Sequence, residues 1–166
     1  QLFLISGRTE PGDGGEGLFA YDSHVVRDDG GVLLRRSTGG GAKRVFNGPR
    51  SVFWWGAKND GRGDCSQAFQ DCVNSLTATA GQVARGSILI PEGVYLITTE
   101  VRLFQKGISF IGQNGSFIKW QGPVGGNLFV VDDCFNCGWH NLTLLGDEFR
   151  TPGAAVFFES PSLSNI

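Results

Sequence analysis

The chain has 166 residues, of which 40% are hydrophobic, and it carries a formal net charge of −2. This hydrophobic content excludes an intrinsically disordered chain, and the small negative charge excludes binding to nucleic acid through bulk basicity. The apolar stretches are all shorter than the ~18 residues of a membrane span, so we predict no nucleic-acid partner and no membrane span. Glycine is abundant, at 26 residues, which favours many tight turns between short strands.

The first part of the chain, residues 1–50, is predicted to be a small β-rich module. Short β-like runs alternate with turn sequences such as PGDGGEG and RDDGG, a pattern typical of a small antiparallel sheet. The segment STGGGAK is predicted to be a loop, because its glycines are not followed by the Gly-Lys-Ser/Thr ending of a phosphate-binding loop. The predicted strands are Leu2–Ile5, Gly17–Tyr21, Val32–Arg35 and Arg44–Phe46.

Residues 51–86 are predicted to form a linker and one amphipathic helix that ends by Gly81. Asp64 precedes the apolar run and Gln67 follows three residues later, a spacing that predicts an N-cap with a capping-box partner. Asp60 and the neighbouring glycines predict a turn into the helix. The Arg-Gly-Asp tripeptide at 62–64 is interpreted as part of this entrance rather than as an adhesive motif. Apolar side chains recur at helical spacing, at Cys65, Ala68, Phe69, Cys72, Val73 and Leu76.

Residues 87–166 contain a series of short apolar β-runs separated by turn residues, without a second helix. Eight strands also fit a sandwich or a barrel, but their irregular spacing and the single Asn-Gly hairpin signal at 114–115 favour a parallel solenoid. The first coil of a solenoid needs a cap, and the amphipathic helix stands in the right place. The runs are SILI (87–90), VYLI (94–97), VRLF (101–104), ISFI (108–111), SFIKW (116–120), LFVV (128–131), NLTLL (141–145) and AVFF (154–157).

The four cysteines are interpreted as buried structural thiols. Cys65 and Cys72 lie on the predicted helix, separated by about 10 Å along its axis, which is too far for a disulfide. Cys134 and Cys137 form one CxxC, whereas a zinc ribbon needs a second pair and a redox motif opens a helix. We therefore predict no metal and no cofactor. Unpaired thiols are typical of folding in a reducing cytosol.

No catalytic residue is assigned from the sequence, although two acidic pairs end predicted strands. They are Asp132–Asp133 and Asp147–Glu148. Cleavage of a glycosidic bond needs two carboxylates on either side of that bond, whereas adjacent residues of a strand point to opposite faces. We interpret both pairs as solvated turn acids.

The histidines and tryptophans give no stronger signal. His24 and His140 have no metal-ligand partner at helical or hairpin spacing. Aromatic rings can stack on sugars, but packing in the core, the cap or an interface is the preferred interpretation. Trp54 and Trp55 are predicted to close the join between the two parts of the chain. The remaining tryptophans are Trp120 and Trp139.

Three motifs across residues 52–146 together resemble the opening of the pectate-lyase-like β-helix superfamily. They are WWGAKNDGRGDCSQAFQDCV, GSILIPEGVYLI and GISFIGQNGSFIKW. The family pattern is roughly FGAxGDGxxDDTxAxQ and then PxGxY; here Cys65 replaces the second acid and Asn59 replaces a glycine. The resemblance implies an all-β fold, with a small N-terminal β-module, a capping helix and the first coils of a right-handed parallel β-helix that continues beyond this chain.

The preceding segment, from GRTEPGDGGEGLFAYD to KRVFNGPRSVFWWGAK, is similar to the region before the β-helix of bacteriophage tailspikes and tail fibres. This resemblance implies a virion homotrimer, assembled in the host cytoplasm, whose N-terminal attachment or neck module docks onto the tail or an adaptor protein. It also implies recognition of a host surface polysaccharide, mostly through parts beyond Ile166, with depolymerase activity expected only of a full-length form. Two alternatives stay open: a polysaccharide lyase or glycoside hydrolase with its active site in this fragment, and a secreted β-helix adhesin.

Overall fold

The computed structural model describes residues 1–77, 83–146 and 153–159. In these residues an antiparallel sheet is followed by a short helical segment and a stack of parallel strands, so the predicted all-β class is confirmed. No helix in this part of the chain has the length and apolarity needed to cross a membrane.

The N-terminal sheet has the strand order β1-β2-β4-β3, and all three pairings are antiparallel. Three of its strands lie where they were predicted, but the fourth begins earlier, so part of the predicted STGGGAK loop is strand. The reason is a tight turn in which Gly39 and Gly40 adopt positive φ angles of 96° and 62° and Arg36 N–H donates to the Gly40 carbonyl at 3.0 Å. The strands are β1 Leu2–Ile5, β2 Gly17–Asp22, β3 Leu33–Arg35 and β4 Gly41–Arg44.

The rest of the chain winds in coils, and each full coil contributes strands to three faces. The first face contains β5, β7, the first part of β10 and the start of β12; the second contains β6, β8 and the later parts of β10 and β12; the third contains β9, β11 and β13. Every pairing is parallel, which confirms the predicted β-helix. The strands are β5 Arg50–Ser51, β6 Asp60–Asp64, β7 Ala84–Ile90, β8 Gly93–Ile97, β9 Val101–Phe104, β10 Lys106–Trp120, β11 Phe129–Asp132, β12 Gly138–Leu145 and β13 Val156–Glu159.

Two segments that were predicted to be turns are strands. Gly112–Gly115 lies inside the long strand β10, which pairs with β7 up to Gly112 and with β8 from Ser116. The chain bends between these two pairings, where Gly115 adopts a positive φ of 86°, and so turns a corner within one strand. Asp60–Asp64 is the short strand β6 because it pairs with β8 across a bulge.

The helix α1 (Ser66–Ser75) occupies the third face of the first coil and follows a 3₁₀ turn at Val52–Trp55. The side chain of Gln70 in this helix accepts a hydrogen bond from Arg102 N–H at 2.8 Å and donates one to the Arg102 carbonyl at 3.0 Å. These bonds satisfy backbone groups of β9 at the open edge of its sheet. The Phe69 ring meets the Tyr95 ring edge-on at 5.7 Å. The predicted capping helix is thus confirmed.

The predicted capping box is wrong. Cys65 is the N-cap residue and makes no side-chain capping bond. Asp64 lies one residue earlier and accepts from the backbone N–H of Ser66 at 3.0 Å, while Gln67 donates to Asp71. The helix ends at Ser75, and the predicted end near Gly81 lies outside the described residues.

The interior of the coils contains a cluster of aromatic rings. Phe110 stacks on Trp139 at a centroid distance of 5.7 Å, and Phe129 lies 5.0 Å from Phe110 and 5.5 Å from Trp139. The parallel register aligns Ile88, Phe110 and Trp139 in successive coils. Stacked rings of this kind stabilise the fold beyond the burial of apolar area alone, so these contacts between successive coils hold the coils together.

The Pro-Glu-Gly-Val-Tyr motif at 91–95 has a direct structural role. Gly93 has φ 133°, and a Cβ atom at this position would lie 2.6 Å from the carbonyl oxygen of Asn59. Tyr95 is buried, and its hydroxyl donates to the Pro91 carbonyl at 2.8 Å. The motif therefore needs glycine for the close approach of two coils and tyrosine to close the turn.

Candidate functional site

The join between the N-terminal sheet and the coils is centred on the buried Arg44. Its guanidinium lies between two rings, 4.6 Å from the Phe19 centroid and 4.4 Å from that of Trp54. Burial lowers the pKa of Arg44, although the nearby carboxylates of Glu16 and Asp29 act to raise it. The group donates to three backbone carbonyls: Gly15 at 2.8 Å, Glu16 at 2.7 Å and Gly31 at 2.8 Å.

Trp55 and Arg8 add two more contacts at the same join. The Trp55 indole N–H donates to the Asp29 carbonyl at 2.5 Å. The Arg8 guanidinium donates to the Gly30 carbonyl, and also to the Trp54 carbonyl at 3.2 Å. Trp54 and Trp55 thus close the join as predicted, and this region is structural because its polar groups are occupied by protein carbonyls.

The other two tryptophans also pack inside the protein. Trp120 is buried, and Trp139 is half-buried among core rings. The Trp139 indole nitrogen is the one buried side-chain nitrogen or oxygen in the described ranges that lacks a hydrogen-bond partner. All four tryptophans are therefore engaged in packing rather than presented for sugar stacking.

The third face of the coils carries the best candidate for ligand contact. Outward-facing side chains of β9 and β13 include Phe104 and Phe157, which are 56% and 42% exposed. The register places Arg102 in the same row as Phe157, and Phe104 in the same row as Asp132 and Glu159. We call this surface the third-face patch, and define it by Arg102, Phe104, Asp132, Phe157 and Glu159.

The charges of the third-face patch are partly paired. Arg102 forms an ion pair with Glu100 at 3.0 Å and a longer one with Glu159 at 3.5 Å. Hydrogen bonds from Asn127 and Arg102 lower the pKa of Glu100 in spite of the opposing effect of burial. Two exposed rings beside charged and hydrogen-bonding groups can stack on apolar ring faces of a ligand while they bind its polar edges.

The predicted acids occupy different environments. Asp132 lies on the third-face patch, whereas Asp133 lies in the next corner and accepts from the Gln105 side chain at 3.0 Å. Gln105 and Asp133 both adopt left-handed backbone conformations, with φ of 48° and 47°, so the two corners stack in register. The pair Asp147–Glu148 lies outside the described residues. We assign no catalytic residue within the described ranges.

The histidines are not brought together. His24 is in the N-terminal sheet region, where its ring lies 3.2 Å from Asp22, and His140 is exposed on β12 of the coils. Residues 1–77, 83–146 and 153–159 contain no group of three or more potential metal ligands.

The third-face patch was not predicted from the sequence, because Phe104 and Phe157 were interpreted only as apolar strand residues. The available signal was alternation within VRLF, where Val101 and Leu103 point inward and Arg102 shares the opposite face with Phe104. The match between Phe157 and Arg102 depends on inter-coil register, which the local sequence does not encode.

No family model and no curated protein matches the chain. Among solved structures, the chain is similar over 100% of its length to the enzymatically active domain of tailspike protein 2 of bacteriophage CBA120, with TM-score 0.77 and 18% identity. It is similar over 98% of its length to full-length tailspike protein 2 from an Escherichia coli O157:H7 bacteriophage (TM-score 0.74, 18% identity). It is also similar over 90% to the tailspike protein of Acinetobacter baumannii phage AM24 (TM-score 0.62, 18% identity).

The chain spans only about a quarter of these proteins: 24%, 21% and 27% of their respective lengths. The TM-scores of 0.77, 0.74 and 0.62 show a common fold, and at 18% identity they show the fold alone. The chain therefore has the β-helix fold of phage tailspike proteins, together with the N-terminal sheet that precedes the coils.

Proposed function

We propose that the chain is the N-terminal portion of a bacteriophage tailspike or tail fibre protein of the pectate-lyase-like superfamily. In this proposal residues 1–50 form the attachment or neck module that docks onto the virion tail or an adaptor protein. The coils from residue 87 onward begin the β-helix that recognises a host surface polysaccharide. The active form is a homotrimer.

One observation carries this proposal. The likeness to tailspike protein 2 extends over the whole chain, and therefore includes the antiparallel sheet as well as the coils. A parallel β-helix alone is a general scaffold that serves many functions. The combination of this sheet, the cap and the coils in one order is a narrower feature, and it supports a tailspike role.

The N-terminal sheet supports association with further copies of the chain. Its face opposite the join presents a row of exposed apolar side chains from β1 and β2, with Leu2 at 61% and Leu4 at 75% exposure. Leu18 is paired directly with Leu4 and extends the same surface. An exposed apolar patch of this kind favours a protein partner, and three-fold symmetry would let the same patch be covered in each copy.

Light scattering on the purified chain tests the homotrimer. We expect a particle of three times 17.8 kDa, and we expect the double variant Leu2→Glu, Leu4→Glu to dissociate it while the coils stay folded. The matched control is Val26→Glu, which changes another exposed apolar residue outside the sheet strands. A monomeric wild-type chain would contradict the proposal for this fragment.

A second candidate is polysaccharide cleavage within this fragment, favoured by the description of one similar structure as an enzymatically active domain. It predicts release of reducing ends or unsaturated sugars from a bacterial polysaccharide by the chain. The variants Asp132→Asn and Asp133→Asn should abolish that release. If the folded chain releases no sugar, cleavage does not belong to these coils, and the tailspike proposal is unaffected.

A further inference from the structure

The corner between β11 and β12 holds two cysteines side by side. Cys134 and Cys137 are both half-buried against the edge of the hydrophobic core. The Cys134 thiol donates to the Asp132 carbonyl at 3.3 Å, and the Cys137 thiol donates to the Lys106 carbonyl at 3.4 Å. The Cys134 thiol contributes to the raised pKa of Cys137, as expected of two neighbouring side chains in one corner.

The backbone of this corner is fixed by the preceding coil. Phe135 N–H donates to the Lys106 carbonyl at 3.1 Å, the same oxygen that receives the Cys137 thiol. Asp133 and Asn136 take left-handed conformations, with φ of 47° and 53°, and reverse the chain between the two cysteines. A disulfide requires adjacent sulfur atoms and Cβ atoms within about 4 Å, an arrangement that this short, anchored turn favours.

The other two cysteines provide a contrast within the same chain. Cys65 and Cys72 are fully buried around the helix α1, with Cys65 at its N-cap and Cys72 inside it. Burial raises the pKa of both thiols, which suppresses the reactive thiolate. Their separation along the helix keeps them from pairing.

We propose that Cys134 and Cys137 are a reversible dithiol that closes to an intramolecular disulfide when the protein meets an oxidising environment. The oxidant is a low-molecular-weight disulfide such as oxidised glutathione. This inference concerns the corner alone and does not depend on the tailspike role.

The exchange has two steps. Cys134, as thiolate, attacks one sulfur of the small disulfide; a mixed disulfide forms and one small thiolate leaves and takes a proton. Cys137 then loses its proton and attacks the Cys134 sulfur, which forms the protein disulfide and expels the second small thiolate. Two protein thiols are oxidised, and one small disulfide is reduced to two thiols.

Neighbouring charge favours this order of attack. The Lys106 ammonium interacts electrostatically with Cys134 and can stabilise negative charge on that sulfur. Burial raises the pKa of Cys137, so Cys137 suits the second, intramolecular step. Lys106 itself is half-buried and donates to the Leu76 carbonyl, which holds its ammonium beside the corner.

The test is to equilibrate the folded chain in buffers with graded ratios of oxidised to reduced glutathione, quench it with iodoacetamide and map the peptides by mass spectrometry. We expect Cys134 and Cys137 to lose alkylation together, in a peptide two hydrogen atoms lighter than its reduced form. Cys65 and Cys72 should form no disulfide over the same range, and circular dichroism should show that the fold is kept.

Two single variants keep the proposal falsifiable. In Cys137→Ser, Cys134 should stop at the mixed disulfide with glutathione, whereas Lys106→Gln should slow closure by roughly two- to tenfold without preventing it. The proposal is overturned if the wild-type chain accumulates glutathione adducts at both positions, or if both thiols stay alkylatable at every ratio.

Discussion

The antiparallel sheet and the parallel coils use their apolar residues in opposite ways. In the coils, Phe110 and Phe129 are fully buried and are stacked between neighbouring turns of the chain. In the N-terminal sheet, the strand β1 exposes Leu2 and Leu4 to solvent. The coils therefore contain their own core, whereas the sheet has a core on one face only.

The interactions that stabilise the coils also differ from those that attach the N-terminal sheet to them. Successive coils are joined by continuous parallel ladders and stacked side chains. The sheet is held to the coils by hydrogen bonds from Arg8 to the Trp54 carbonyl and from Trp55 to the Asp29 carbonyl, and by the contact of Arg44 with the Trp54 ring. We therefore expect that a substitution in the core of the coils unfolds the chain globally, whereas a substitution at the join unfolds the N-terminal sheet locally.

The largest effect is expected from Phe110→Ala, which removes a fully buried ring from the aromatic cluster. The loss of contacts and the resulting cavity should lower the free energy of unfolding by about 3–5 kcal/mol. Urea denaturation followed by tryptophan fluorescence measures this change. Phe104→Ala is the matched control, because that ring is exposed, and it should change the free energy of unfolding by less than about 1 kcal/mol.

A smaller but more localised effect is expected from Arg44→Met. The substitution keeps an apolar stem between the rings of Phe19 and Trp54 but leaves three buried carbonyls without their donor, at a cost of about 2–3 kcal/mol. Limited proteolysis should then cut the N-terminal sheet while the coils remain resistant. The exposed Arg35→Met serves as control. Equal protease sensitivity of sheet and coils in Arg44→Met would show that the two regions do not unfold separately.

Gly93→Ala tests the close approach of two coils. Alanine at a φ of 133° is strained and its Cβ would meet the Asn59 carbonyl, so we expect a loss of about 1–3 kcal/mol. The control is Gly63→Ala, where a Cβ would have nothing within 4 Å. Thermal denaturation of the two variants measures the difference, and equal midpoints would disprove the proposed role of this glycine.

These positions also show how much of the fold could be predicted from the sequence. The alternating apolar strands and the Gly93–Tyr95 motif carry local signals, and they predicted the coils and the cap correctly. Gly112–Gly115 was predicted to be a turn, because glycine-rich segments usually are. Here pairing with β7 up to Gly112 and with β8 from Ser116 keeps the bend within one long strand, and such long-range pairing leaves no local signal.

The join and the third-face patch were less predictable for a related reason. The position of Trp54 and Trp55 could be inferred from their place between the two patterns, but Arg44 was assigned only to a strand. Its role depends on carbonyls of loops that are distant in sequence. The third-face patch depends on which residues of different coils lie in the same row. Because the corners between strands vary in length, this register cannot be inferred from the sequence.

The smallest effect is expected from Asp64→Asn at the start of the helix. Partial burial acts to raise the pKa of Asp64, but hydrogen bonds from Ser66 and Thr98 outweigh it and the pKa is lowered. The carboxylate therefore stabilises the fold above the unfolded pKa of about 4, and this stabilisation is lost as the pH falls through the lower folded value.

Because Asp64 is exposed, we expect Asp64→Asn to cost under about 1 kcal/mol at pH 7. The difference in the free energy of unfolding between Asp64→Asn and wild type should disappear as the pH falls below about 4. Urea denaturation at a series of pH values measures it. In a Ser66→Ala background, which removes one donor, the substitution should cost less, and a pH-independent difference would contradict the assignment.

We propose that the third-face patch contributes to recognition of the host polysaccharide, and retention of the chain on immobilised surface polysaccharides from a panel of bacterial strains tests this contribution. We expect the chain to be retained on the polysaccharide of at least one strain, and we expect Phe104→Ala, which leaves the core intact, to weaken this binding at least tenfold. Retention on none of the polysaccharides, or equal retention of wild type and Phe104→Ala, would contradict a contribution of the third-face patch to glycan recognition.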